Sequence, residues 1–164
     1  MKFRTMRRNK QQLTPEECQN ILEKSTSGVL SLIGDGGYPY GVPMSYVYHN
    51  GKIFFHSATT GHKIDAIGTE EKCSFTIIAQ DDIHNEEYTT YFRSVIVFGR
   101  IHIIEDEAEK LAALRSLGKR YNPNDNAGLQ REIDKGFSHL HILRLDIEHI
   151  SGKESIELIK AKKQ

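Results

Sequence analysis

The spacing of apolar residues changes period several times along the chain, and each change marks an element. Thr14-Pro15-Glu16-Glu17 opens a helix: Thr14 suits the N-cap, Pro15 the first helical position, and Glu17 completes a capping box. Ile21 and Leu22 face inward from it, and Ser25 to Gly28 ends it. Val29-Leu30-Ser31-Leu32-Ile33 then reads as a strand and Gly34-Asp35-Gly36-Gly37 as a tight turn. Tyr40 to Tyr48 forms a second strand with Val42, Met44, Tyr46 and Tyr48 on one face. Pro43 inside it belongs at an edge, a bulge or a ligand approach, because it has no N–H for a ladder. His49-Asn50-Gly51 turns the chain into a third strand, Ile53-Phe54-Phe55.

Small residues follow, Ser57 to Gly61, and then a short helix with Ile64 and Ile67 on its inner face. Cys73 to Gln80 is a fourth strand, and the polar, acidic stretch Asp81 to Thr90 reads as a solvated loop. Tyr91 to Glu105 is a long fifth strand, apolar on both faces, with Gly99 as a bend or bulge. Asp106 caps a helix bearing Leu111, Leu114 and Leu117, which Tyr121-Asn122-Pro123-Asn124 ends. Asn126 to Lys135 is a more polar helix, and Ser138 to Ile150 a sixth strand with His139, His141, Leu143, Leu145 and Ile147 on one face. The pattern predicts a mainly β fold with flanking helices. Six antiparallel strands with apolar residues on both faces are satisfied in so small a chain by a closed or nearly closed barrel. No repeat or linker interrupts residues 1–164, which read as one domain with 1–12 and 155–164 as peripheral tails.

Composition narrows the partners. Acidic and basic side chains balance at 22 each, so no global field recruits nucleic acid or an anionic membrane. Lys2, Arg4, Arg7, Arg8 and Lys10 near one end, and Lys160, Lys162 and Lys163 near the other, read as solvated charges. Two distant cysteines, Cys18 and Cys73, argue against a disulfide scaffold or structural zinc. With neither a signal-type apolar region nor a run of membrane-spanning length, the expectation is a cytoplasmic protein.

The candidate chemistry lies in Ile53 to Ile67. A strand that ends in small hydroxyl residues and leads into a helix N-terminus is suited to an anion, since the first helical N–H groups lack intrahelical partners. Ser57, Thr59 and Thr60 offer hydroxyls, Lys63 a charge, and His62 a donor that is charged when protonated. The alternative is an ordinary strand-to-helix turn with a solvated lysine. His139 and His141 could share a metal only with a third ligand, and none stands at ligand spacing, so no metal is expected. A Gly-x-Ser-x-Gly elbow and a Rossmann fingerprint are both absent.

Four stretches carry a family resemblance in order and spacing: FFHSATTGHKIDAI, Gly41-Val42-Pro43-Met44-Ser45-Tyr46, Tyr91 to Arg100, and Ile150-Ser151-Gly152-Lys153-Glu154. Over Leu13 to Glu154 the chain resembles the FMN-binding split-barrel proteins of the pyridoxamine 5'-phosphate oxidase-like superfamily, and within it the nitroimidazole-resistance (Nim-type) branch. The resemblance implies a six-stranded antiparallel split β-barrel that forms a homodimer, with FMN in the groove between two barrels. In the oxidases a hydroxyl residue and then an Arg-Lys pair hold the FMN phosphate. Ser57 matches the hydroxyl, Ala58 and Gly61 lie in the same loop, and His62-Lys63 matches the pair with His62 in place of Arg. Val42, Pro43, Met44, Ser45 and Tyr46 match the segment along the flavin ring. Ser94 stands where the oxidases carry Gln, with Arg93 and Tyr91 flanking it.

His56 is expected either as a proton donor near the ring or as a hydrogen-bonded barrel histidine. The oxidases close with Trp- and Arg-bearing motifs, whereas this chain has no Trp, so pyridoxamine phosphate oxidation does not follow. The expected function is an FMN-dependent oxidoreductase that reduces a small organic compound such as a nitroaromatic, with NAD(P)H as donor. The alternatives are a flavin carrier or sensor without turnover and a haem-handling split barrel, with FAD, a deazaflavin or haem as alternative cofactors.

Overall fold

The structure, a computed structural model, describes residues 2–162. Its strands are β1 (Ser27–Ile33), β2 (Pro39–Ser45), β3 (Val47–His49), β4 (Lys52–Ser57), β5 (Lys72–His84), β6 (Thr89–Ile103) and β7 (His141–Glu154). Helices are α1 (Pro15–Lys24), α2 (His62–Thr69), α3 (Glu107–Tyr121), α4 (Asn126–Gly136) and α5 (Ile156–Ala161). All the strands pair antiparallel in one sheet of order β2-β1-β5-β6-β7-β4-β3. The edge strands β2 and β3 are consecutive in the chain, with only Tyr46 between them. A sheet whose two edges are one chain segment has to curl until those edges meet, and no ladder joins them, so the barrel is split along that seam.

Among the described residues, the seam corrects the expected strand count from six to seven. Tyr46 leaves the ladder: its N–H donates to the Thr26 carbonyl at 3.2 Å and its hydroxyl to the Leu22 carbonyl at 2.7 Å. A buried phenol needs a partner, and the last turn of α1 supplies one. Burial pushes the Tyr46 hydroxyl up to about 12, so it stays a donor. The Arg120 guanidinium of α3 lies over the Tyr46 ring and donates to the Glu23 and Ser25 carbonyls, closing the end of α1.

Inside the curl, Leu30, Leu32, Ile53, Phe55, Phe75, Ile77, Val95, Val97, Ile101, Leu143 and Leu145 form the main core, plugged by Cys18, Ile21 and Leu22 of α1. The Thr14–Glu17 capping box that starts α1 is formed as expected. A second cluster joins Val47, Phe54 and Ile142 on the opposite face to Ala113, Leu114, Leu117 and Ile133 of α3 and α4. Gly99 marks the expected bulge: the β6–β7 register shifts between Phe98 and Gly99, and a Cβ on Gly99 would collide with the Asp146 carbonyl oxygen.

Two other expectations change. The acidic stretch after Gln80 is not a loop, because β5 and β6 stay paired out to His84 and Thr89. Ile83, Thr89 and Thr90 favour strand, the His84 and Tyr91 rings stack at 3.6 Å, and the Tyr91 hydroxyl donates to Glu87. These pairs hold a hairpin arm beyond the barrel. The last strand begins at His141, and His139 lies in a 3-10 turn before it, so the two histidines are not alternate residues of one strand. Among the described residues, no three His, Cys, Asp or Glu side chains are placed to hold a metal, and no helix is long and apolar enough to cross a membrane.

Candidate functional site

Strand β4 alternates its faces until it ends. Ile53, Phe55 and Ser57 point into the barrel, while Phe54 and His56 point to the opposite face. Ser57, 6% exposed and paired with His141, is therefore the last inward residue before the loop, whereas exposed His56 pairs with Ile142 on the other face. The chain passes Ala58, Thr59 and Thr60, all exposed, and reaches Gly61 at φ 118°, ψ 169°, a conformation open essentially to glycine. That backbone angle turns the chain directly into α2.

Helix α2 starts without a side-chain cap, whereas Thr14, Asp106 and Asp125 cap α1, α3 and α4. Its first bonds run from the Ile64 and Asp65 N–H groups to the Gly61 carbonyl, at 2.8 and 3.1 Å. The N–H groups of His62 and Lys63 precede any intrahelical acceptor. Lys63 reaches back to β2, where its Nζ lies 3.4 Å from the Met44 Sδ. Burial pushes its pKa below the ordinary lysine value, and among the described residues it forms no ion pair. An unpaired, partly desolvated ammonium beside an uncapped helix N-terminus favours an anion on two counts, charge and unmet N–H donors.

His62 turns elsewhere. Its ring stacks on Tyr40 at 4.1 Å, and its Nε2 accepts the Asp35 N–H at 3.3 Å. The Asp35 carboxylate stands 3.7 Å away, and a Cβ on Gly34 would lie 2.9 Å from the same nitrogen. His62 thus fastens α2 to the turn between β1 and β2. Sequence reasoning missed this role, because nothing local links position 62 to positions 34–40.

Pro43 lies on the edge strand β2, opposite Val29, as expected from its missing N–H. An edge strand turns alternate backbone groups away from its sheet, so β2 offers donors and acceptors beside Lys63 without any side-chain chemistry. Met44 is buried, Val42 half-buried, and Ser45 exposed.

Arg93 and Ser94 lie apart from this group. Arg93 pairs with Glu154, the last residue of β7, whereas Ser57 pairs with His141, the first. The Arg93 Nε donates to the Glu154 carboxylate at 3.1 Å, and that side chain, 4% exposed, also accepts from Lys162, which reaches Glu17 as well. The Lys162 ammonium holds Glu17 below the usual carboxylate range, with the Thr14 N–H adding to the effect. Glu154 was not legible as a hub, since its partners come from β6 and from Lys162 just past α5. The structure therefore brings Val42–Ser45, Ser57, Gly61 and Lys63 to one end of the barrel, and sets Arg93 and Ser94 at the far end of β7.

Residues 14–154 match the pyridoxamine 5'-phosphate oxidase family. The chain belongs to that family. A search of the curated proteins finds no match. Among solved structures, a putative 5-nitroimidazole antibiotic resistance protein from Bacteroides thetaiotaomicron aligns with TM-score 0.75 at 20% identity, over 87% of this chain and 86% of that one. The FAD and haem binding protein from Mycobacterium smegmatis aligns with TM-score 0.76 at 22% identity, over 92% and 80%. An FAD-binding protein from Mesorhizobium loti aligns with TM-score 0.64 at 23% identity, over 88% and 96%. At these identities the likeness establishes the split-barrel fold that this family member shares with them.

Proposed function

We propose that this protein is a flavin-dependent oxidoreductase that binds FMN in a homodimer and reduces a small organic compound, a nitroaromatic being the class to test first, with NAD(P)H as donor. The observation that carries the reading is Lys63: half-buried, without an ion pair among the described residues, and beside an uncapped helix N-terminus. That set fits a phosphate monoester. Lys63 supplies the charge, the N–H groups of His62 and Lys63 supply donors, and Ser57 with the Ala58–Gly61 loop forms the floor. Gly61, which lacks a side chain, lets the loop approach closely.

When bound, the flavin supplies hydride and electron transfer, and the protein supplies position and access. In this chain the outward backbone of Val42, Pro43, Met44 and Ser45 would orient the polar edge of the ring. Arg93 and Ser94 join that site from the second copy, which is how residues at opposite ends of β7 serve one cofactor. His56 points away from the Ser57 face and is given no part in proton transfer there.

The second reading, FAD, is favoured by the FAD-binding proteins among the solved structures that share the fold. Purified protein should show a flavin absorbance spectrum, and titration with FMN, FAD and riboflavin separates the two readings. Tight FMN, weak riboflavin and NAD(P)H-dependent loss of a nitroaromatic support the proposal. A haem Soret band without flavin overturns it.

A further inference from the structure

Two groups of like charge remain unexplained by the flavin reading. Lys2, Arg4, Arg7, Arg8 and Lys10 form a segment without an acid, and Asp81, Asp82, Glu86 and Glu87 lie on the hairpin arm without a Lys or Arg between Gln80 and Arg93. None of these side chains forms an ion pair among the described residues, although charges elsewhere are extensively paired. Within one chain the two groups run apart. Gln12 bridges to Lys153, and from there the N-terminal segment lies back along the sheet, where Phe3 stacks on His149 at 4.6 Å and packs against Phe98 at 5.6 Å. The arm leaves the sheet in the other direction, beyond the Arg93–Glu154 pair.

Between them the outer face of the sheet is apolar and exposed. Val29, Ile78, Ile96 and Phe98 share it, since Val29 registers with Thr76, Thr76 with Ile96, and Ile78 with Ser94. The arm adds Ile83, 76% exposed, and Tyr88, 98% exposed and held at φ 49° at its tip. Large apolar groups presented in this way mark a surface that another chain covers.

We propose that this face packs on a second copy with the strands reversed, so that the acidic arm of each copy lies along the basic N-terminal segment of the other. A two-fold axis lying across the strands makes this exchange twice, each time matching the four acids of an arm to the five bases of a segment. The inference rests on the homodimer in the functional reading and specifies the contact that forms it. It also gives the unpaired charges a role in steering association.

The test is sedimentation of the full chain at about 0.05 M and about 0.5 M NaCl, which shortens the screening length several-fold. The wild-type dimer should weaken by about tenfold or more at the higher salt. Reversing the arm (Asp82→Lys, Glu86→Lys, Glu87→Lys) or the segment (Arg4→Glu, Arg7→Glu, Arg8→Glu) should each weaken it by about tenfold or more at low salt, and combining both sets should restore it to within about threefold. Deletion of residues 2–10 should abolish the salt dependence, and this decides the matter if a reversed variant fails to fold. A dimer indifferent to either reversal, or not restored by the combination, overturns this inference and leaves the flavin reading standing. A wild-type monomer at every concentration overturns the dimer itself.

Discussion

Lys63 holds the phosphate reading at the level of a single residue. Lys63→Ala removes a charge-assisted contact worth about 1.5–3 kcal/mol, so FMN affinity should fall about ten- to a hundredfold in a fluorescence titration. Riboflavin has no phosphate and should bind as before; equal loss for both would assign Lys63 to the fold. The pH dependence follows from burial, which lowers the Lys63 pKa from 10.5. Only the protonated amine gains from a phosphate. The gain is therefore complete below the lowered pKa and declines as pH rises through it, before a free lysine would titrate. Lys63→Arg should remove that decline. His62 behaves differently, because its ring is engaged by Tyr40 and by the Asp35 N–H. His62→Ala should loosen the turn it fastens and change FMN and riboflavin affinities by the same factor.

At the scale of elements, the seam depends on the Tyr46 hydroxyl. Tyr46→Phe leaves the buried Leu22 carbonyl without its donor and should cost about 1–3 kcal/mol in urea unfolding. The folded pKa of Tyr46 is raised from 10.0 to about 12, so the stability it contributes is complete below pH 10 and fades as pH approaches about 12. The phenylalanine variant should lack that alkaline loss. Gly99→Ala tests the bulge: a methyl group placed against the Asp146 carbonyl has to push two backbones apart, and should destabilise by about 1–3 kcal/mol or more.

At the scale of the whole molecule, the separation of Ser57 from Arg93 along β7 makes the proposed cofactor site a property of two chains. Flavin retention and dimerisation are then linked by mass action. Dilution that yields monomer in sedimentation should release flavin over the same concentration range, seen as recovered flavin fluorescence. Flavin held at full affinity by a monomer would place the whole site within one barrel.

Local chemistry determined much of this before any fold was known. The Thr14 capping box, the Asp106 cap, the edge position of Pro43, the Gly99 bulge and the strand-to-helix turn at Ser57–Lys63 each follow from what one residue can or cannot do with its own backbone. The mainly β class followed from alternating apolar faces, and the split barrel from the motifs that also led to the family. Tertiary structure alone decided the rest, because the deciding partners are distant in sequence. Tyr46 leaves its strand for a carbonyl of α1, His62 turns to Asp35 and Tyr40, and Glu154 collects Arg93 and Lys162. The acidic stretch reads as a loop by composition and becomes strand because each half finds the other across the hairpin. A hydrogen-bond donor or a charge shows its need in the sequence, but which distant group meets that need is settled only when the chain folds.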